Sequence, residues 1–113
     1  MARILVDTSA VFALLDRSDA NHATARDTLE QLKRRRAEPL LTNFIVAESH
    51  ALALSRLGAD LARQWLLGNI WPVERVTEDD ESKATAIVGR YVDKAFSYTD
   101  ATSFAVMERL GLK

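Results

Sequence analysis

Three carboxylates stand out because of what surrounds them. Asp7 closes the apolar run Ile4-Leu5-Val6 and is followed by Thr8-Ser9-Ala10. A short strand that delivers a carboxylate and then turns into a helix places it beyond the carboxyl end of a sheet, where open α/β folds gather their ligands. Glu48 has Phe44, Ile45, Ala51 and Leu52 three and four residues away, so it falls in the stripe a helix would turn to the core. Asp100 repeats the pattern with Phe96, Ser103, Phe104 and Met107. Charges are rarely buried unless they are paired or bound to a metal. Plainer readings stand beside each: a helix cap or phospho-acceptor for Asp7, a buried ion pair with an arginine for Glu48, a helix cap for Asp100. Taken together, three carboxylates brought to one sheet edge form an oxygen-only ligand set. Such a set favours Mg²⁺ or Mn²⁺ over zinc, and a bound divalent ion points to phosphodiester chemistry.

Other chemistries find little support. His22 and His50 have no metal-ligand spacing, and His50 points to a different side of its helix from Glu48. Walker A, G-x-S-x-G and G-x-G-x-x-G patterns are missing. Asp7 as a phosphatase nucleophile would want a second acid two residues on, where Ser9 stands. The chain has 113 residues, no cysteine and a formal net charge of -1. That describes one domain without a thiolate site or disulfide framework. It is not basic enough overall to advertise nucleic acid. The basic run Lys33-Arg34-Arg35-Arg36 reads either as a solvated helix end or as a local RNA or DNA contact. With no bilayer-length apolar run and an acid as early as Asp7, a cytoplasmic protein is expected.

The elements that must position the carboxylates follow from pattern and punctuation. Residues 3–7 read as a strand and residues 8–15 as a helix that Thr8-Ser9 could cap. Asp19 opens a second helix to about Arg36, with Ala23, Leu29 and Leu32 buried. Residues 40–42 form a second strand, and Thr42 or Asn43 caps a helix over residues 44–57 that ends at Gly58. Another helix spans residues 59–67. Residues 71–76 form a third strand, placed at an edge by Pro72. The acidic run Thr77-Glu78-Asp79-Asp80-Glu81 suits the positive end of a helix continuing to about Asp93. Tyr98 or Thr99 opens the last helix, which Gly111 ends. Trp65 and Trp71 should fill the core. Strands separated by helices imply a parallel sheet with right-handed crossovers.

The stretches Ile4-Leu-Val-Asp-Thr-Ser-Ala10, Leu41-Thr-Asn-Phe-Ile-Val-Ala-Glu48 and Asp93-Lys-Ala-Phe-Ser-Tyr-Thr-Asp-Ala-Thr-Ser103 resemble PIN-domain ribonucleases. The subgroup they resemble is the VapC-type toxins of bacterial toxin–antitoxin pairs. The resemblance covers nearly the whole chain in order and spacing. It implies a PIN-like three-layer α/β/α fold with a short parallel sheet, in a single domain over residues 1–113. It also implies a Mg²⁺- or Mn²⁺-dependent endoribonuclease with Asp7, Glu48 and Asp100 as metal-binding catalytic residues. Ser9 would line the site toward the RNA substrate, and Asp93 would be structural. A cognate antitoxin protein would cover the site, and a homodimer is implied. Members of the family usually continue into a strand with a fourth aspartate, and this chain reaches Gly111-Leu112-Lys113 where that strand should begin. A C-terminally shortened fold is therefore expected, with the first strand at an open edge. The alternative is a catalytically impaired PIN-like module that binds antitoxin or RNA without cutting.

Overall fold

The computed structural model describes residues 2–112, so Met1 and Lys113, the last residue of the expected C-terminal departure, lie outside it. Its elements run β1 (Arg3–Leu5), α1 (Thr8–Leu15), α2 (His22–Arg34), β2 (Glu38–Thr42), α3 (Asn43–Arg56), α4 (Ala59–Gly68), β3 (Val73–Glu74), α5 (Glu78–Arg90) and α6 (Tyr98–Leu110). This is the predicted order of strands and helices. The strands form one parallel sheet in the order β1-β2-β3, with Leu5 opposite Leu40 and Leu41 opposite Val73. β1 and β3 are therefore its two edges among the described residues, β3 where Pro72 placed it. No described helix is long and apolar enough to cross a membrane.

Two strands are shorter than predicted, and the reasons are local. Val6 still donates its N–H to Leu40 O at 2.9 Å, but Asp7 then leaves the ladder to cap α1. Around β3 the backbone is claimed by side chains: Asn69 bonds both the N–H and the carbonyl of Trp71, and Asn43 Oδ1 accepts from Val76 N–H at 2.8 Å. Asn43 thus ties the start of α3 to the chain leaving β3, while Thr42 Oγ1 makes the cap, accepting from Ile45 N–H at 3.1 Å. Helix α5 stops at Arg90 rather than near Asp93, with Gly89 weakening its last turn.

The core joins Val6 and Val11 to Leu41 and Ile45, with Trp65 and Trp71 packed against it but only half-buried. Helix α3 is the central element. It packs against α1, α4, α6 and β2, through a buried row of Ile45, Ser49 and Ala53 that lets neighbours approach closely. Helix α6 buries Ala101, Thr102, Ala105 and Val106. Helix α2 buries no residue fully: Leu29 and Leu32 are half-buried and the expected core residue Ala23 is exposed. Its cap position is Asn21 rather than Asp19, because Asp19 Oδ1 accepts from Asn21 N–H at 2.8 Å in a turn just before the helix. At the other end Arg36 takes a left-handed conformation with φ 56°. Its N–H bonds Lys33 O and that of Ala37 bonds Leu32 O, the bond pair that closes a helix, with arginine where glycine is usual. Lys33 pairs with Glu30 at 3.6 Å, and all four residues of the basic run are exposed, as either reading of that run requires.

Candidate active site

Parallel strands send their carboxyl ends the same way, so Asp7 after β1 and the start of α3 after β2 emerge at one edge of the sheet. The start of α6 joins them from the other side of α3. The Phe44 and Tyr98 rings lie 5.8 Å apart, and these residues precede Glu48 by one turn and Asp100 by two residues. Tyr98 also donates its hydroxyl to Glu81 Oε1 at 3.0 Å, linking α6 to α5, and partial desolvation together with this carboxylate holds the phenol above its ordinary value. The beginnings of α1, α3 and α6 are thereby gathered around one end of the molecule.

Each carboxylate keeps capacity for a ligand. Asp7 Oδ1 accepts from Ala10 N–H at 2.9 Å, so Asp7 itself caps α1, in place of Thr8 or Ser9. Asp100 and Ser97 form a capping box: Asp100 Oδ2 accepts from Ser97 N–H at 3.1 Å, and Ser97 Oγ accepts from Asp100 N–H at 3.0 Å. The capping readings of these two acids are thus correct, and one oxygen of each is left over. Glu48 is half-buried on the shoulder of the Ile45–Ser49–Ala53 row. It has no ion pair and no side-chain hydrogen bond among the described residues, so the buried salt bridge expected as its plainer role is not made. Asp93 is exposed in the turn after α5.

Two observations bear on a divalent ion. Among the described residues, no group of three or more His, Asp or Glu side chains is placed to hold one ion. The three acids share an end of the fold without closing into one ligand sphere. Against this, the described buried hydroxyls without a hydrogen-bond partner are Thr8 Oγ1 and Ser49 Oγ, which follow directly on Asp7 and Glu48. Buried polar atoms without partners are uncommon and often mark a missing water or ion. Mg²⁺ keeps several waters and needs only one or two carboxylates, so the donor set fits such an ion without three direct ligands.

Asp7 and Ser9 line a groove of about 510 Å³ together with Phe12, Leu52 and Arg56. Neither Glu48 nor Asp100 lines it. Arg56 escaped the sequence reading. Its guanidinium lies 5.9 Å from the centre of the Phe12 ring, and no acid pairs with it among the described residues. The signal was its spacing: Glu48, Leu52 and Arg56 are four residues apart on one helix face. A second omission is structural. Asp80, completely buried, accepts three hydrogen bonds from Arg109 at 2.9–3.2 Å, while Arg109 also reaches Glu74 at 3.1 Å and Arg75 O at 3.3 Å. Arg109 holds the Asp80 carboxyl below the usual carboxylate range, outweighing the burial that pushes it up.

Helices packed around a short three-stranded parallel sheet, with an aspartate at the end of its first strand, define a small α/β domain. The PIN domain family model matches residues 4–113, and the chain belongs to that family, among its VapC-type ribonucleases. It is 35% identical to the 23S rRNA-specific endonuclease VapC20 of Mycobacterium tuberculosis, over 97% of this chain and 84% of that protein. It is 26% identical to ribonuclease VapC26 of the same organism, over 94% of this chain and 78% of the relative. The crystal structure of M. tuberculosis VapC20, a toxin that cleaves the sarcin-ricin loop, superposes with a TM-score of 0.82 at 31% identity. That match covers 96% of this chain and 83% of the other.

Proposed function

We propose that this protein is a metal-dependent endoribonuclease, the toxin of a toxin–antitoxin pair, acting in the cytoplasm on structured RNA. The observation that supports the reading is that Asp7, Glu48 and Asp100 each keep a carboxylate oxygen without a partner among the described residues, in the N-terminal halves of α3 and α6 and at the cap of α1. Relatives that cut RNA, VapC20 and VapC26 among them, support the substrate class. Asp7 would be the central ligand for Mg²⁺ or Mn²⁺, with Glu48 and Asp100 holding it directly or through water. When bound, such an ion polarises a phosphate oxygen and eases deprotonation of a water. The chain's own part is positioning. The cap on α1 fixes the orientation of Asp7, the capping box fixes Asp100, and the packing of α3 holds Glu48 toward the same end. Ser9 lines the groove on the substrate side of Asp7. A cognate antitoxin and a second copy of the chain are the proposed protein partners.

The test is cleavage of a pool of cellular rRNA and tRNA with Mn²⁺, Mg²⁺ or EDTA. The large-subunit rRNA, which the 35%-identical relative cuts, is the first species to follow. Asp7→Asn is the control of choice, because asparagine caps a helix as well as aspartate does while losing the charge. Metal-dependent cuts that vanish in Asp7→Asn are expected. Cutting that persists in EDTA, or in the variant, would overturn the reading. A second reading, a module that binds RNA or antitoxin without cutting, is favoured by the lack of a closed three-acid group among the described residues. It predicts RNA binding with no cleavage in any metal.

A further inference from the structure

The end of α5, the turn after it and α6 carry a feature that the nuclease reading does not use. Tyr91 and Phe96 meet edge-on with ring centres 6.3 Å apart, and Phe96 meets Phe104 edge-on at 5.0 Å. Connected rings of this kind ordinarily belong to a core. Here the outer two stay open, with Tyr91 42% and Phe104 41% exposed, while Phe96 between them is half-buried. With Arg90 and Lys94 they line a groove of about 550 Å³. Both cations lack an ion pair and a side-chain hydrogen bond among the described residues, and Glu108 is the one acid in the lining. Cations suit the carboxyl end of a helix, but the dipole gives no reason for two exposed rings to stand beside them.

The location is what makes the groove informative. Phe96 precedes the Ser97 cap of α6, and Phe104 is one turn beyond Asp100. Residues four apart on a helix are neighbours on one face, about 6 Å along its axis. The ring platform therefore begins one turn from a proposed ligand of the reacting site. Proteins that hold unpaired nucleotides combine these elements, stacking bases on aromatic rings and meeting phosphates with arginine or lysine.

We propose that Tyr91, Phe96 and Phe104, flanked by Arg90 and Lys94, form a base-stacking subsite for an unpaired nucleotide of the RNA, next to the bond presented at Asp100. The inference rests on reading Asp100 as part of a nuclease site. It makes the platform a positioning and specificity element that favours looped or single-stranded RNA over duplex.

The test uses a short single-stranded oligoribonucleotide carrying 2-aminopurine, titrated with the full chain in EDTA so that binding is read without cleavage. Anisotropy reports affinity and 2-aminopurine quenching reports stacking. Tyr91→Ala should weaken binding about tenfold and abolish the quench. Tyr91→Phe should keep both, since the ring face and not the hydroxyl does the stacking. Arg90→Gln should weaken binding and flatten its salt dependence. The same sequence as a duplex should bind alike to wild type and Tyr91→Ala. The proposal is overturned if wild type does not quench the probe, or if Tyr91→Ala and Arg90→Gln both bind as wild type does. It is likewise overturned if sedimentation shows Tyr91→Ala splitting a dimer while RNA binding is unchanged, because the rings then serve a second copy of the chain. Failure of the nuclease reading is seen elsewhere, in the metal-dependent cleavage assay with Asp7→Asn.

Discussion

Helices α5 and α6 begin with the same device. Thr77 and Asp80 form a capping box at the start of α5, and Ser97 and Asp100 form one at the start of α6. In each, the cap hydroxyl accepts from the backbone of the third helical residue, whose carboxylate reaches back to the cap N–H. Beyond that local geometry the two aspartates part. Asp80 is buried and its carboxylate is filled by the Arg109 guanidinium, which also ties Glu74 and the backbone of Arg75. Asp100 is exposed, pairs with no cation among the described residues, and keeps Oδ1 free beside α3. One local motif thus serves as a structural lock in one helix and, in the next, leaves a carboxylate oxygen free for the ligand role proposed above. The difference lies in what tertiary packing sets opposite the carboxylate. A paired acid holds elements together, and an acid left unpaired at a cleft is available for chemistry.

The comparison breaks most sharply at Asp100. Asp100→Asn keeps a side-chain acceptor for the capping box and removes the charge. We expect cleavage to fall by about a hundredfold or more, with the denaturation midpoint nearly unchanged. A variant that unfolds would place Asp100 with Asp80 as a structural acid. The converse change, Asp80→Asn, should lower stability by about 2–3 kcal/mol, since it replaces the buried, charged partner of the Arg109 guanidinium with a neutral one and leaves only Glu74 as its counter-ion. The folded fraction should still cleave at the normal rate, read by urea titration beside single-turnover kinetics.

Acidity sharpens the same contrast. The folded-state pKa of Asp80 lies below its unfolded value, with Arg109 as the leading cause. Its stabilisation is therefore full above the unfolded carboxylate pKa of about 4 and is lost as pH falls through the lower folded value. The stability gap between wild type and Asp80→Asn should stay constant above about pH 4 and narrow below it. A gap that widened with acid would refute the lock. The smallest effect is expected at a helix end with no part in either role. Arg36→Gly should stabilise the protein by up to about 1 kcal/mol, because a left-handed backbone strains a side chain with a Cβ. Gly111 already meets the same need at the end of α6, with φ 69°.

Much of this molecule was legible in the chain. Apolar periodicity, Gly58 and Gly111 as stops, and the Thr-Glu-Asp-Asp start of α5 placed every helix and strand in order. These signals act within a few residues of one another, so a linear reading finds them. Asp7, Glu48 and Asp100 were singled out as candidates for a related reason, since a charge amid apolar residues is conspicuous. Boundaries were less secure wherever a side chain far along the chain took a backbone group, as Asn43 does for Val76.

The sequence by itself determined the α/β alternation, the cap-competent residues and the odd positions of three acids, because each follows from local propensity and helix or strand period. Only the tertiary structure decided which acids would be neutralised. Asp80 and Arg109 are 29 residues apart and nothing in their neighbourhoods announces the pairing. Tertiary packing also left Glu48 without an ion pair among the described residues and brought Phe96 and Phe104 together in a partly exposed ring cluster. Pairing and exposure depend on which elements come together in space, and short-range pattern carries no record of that.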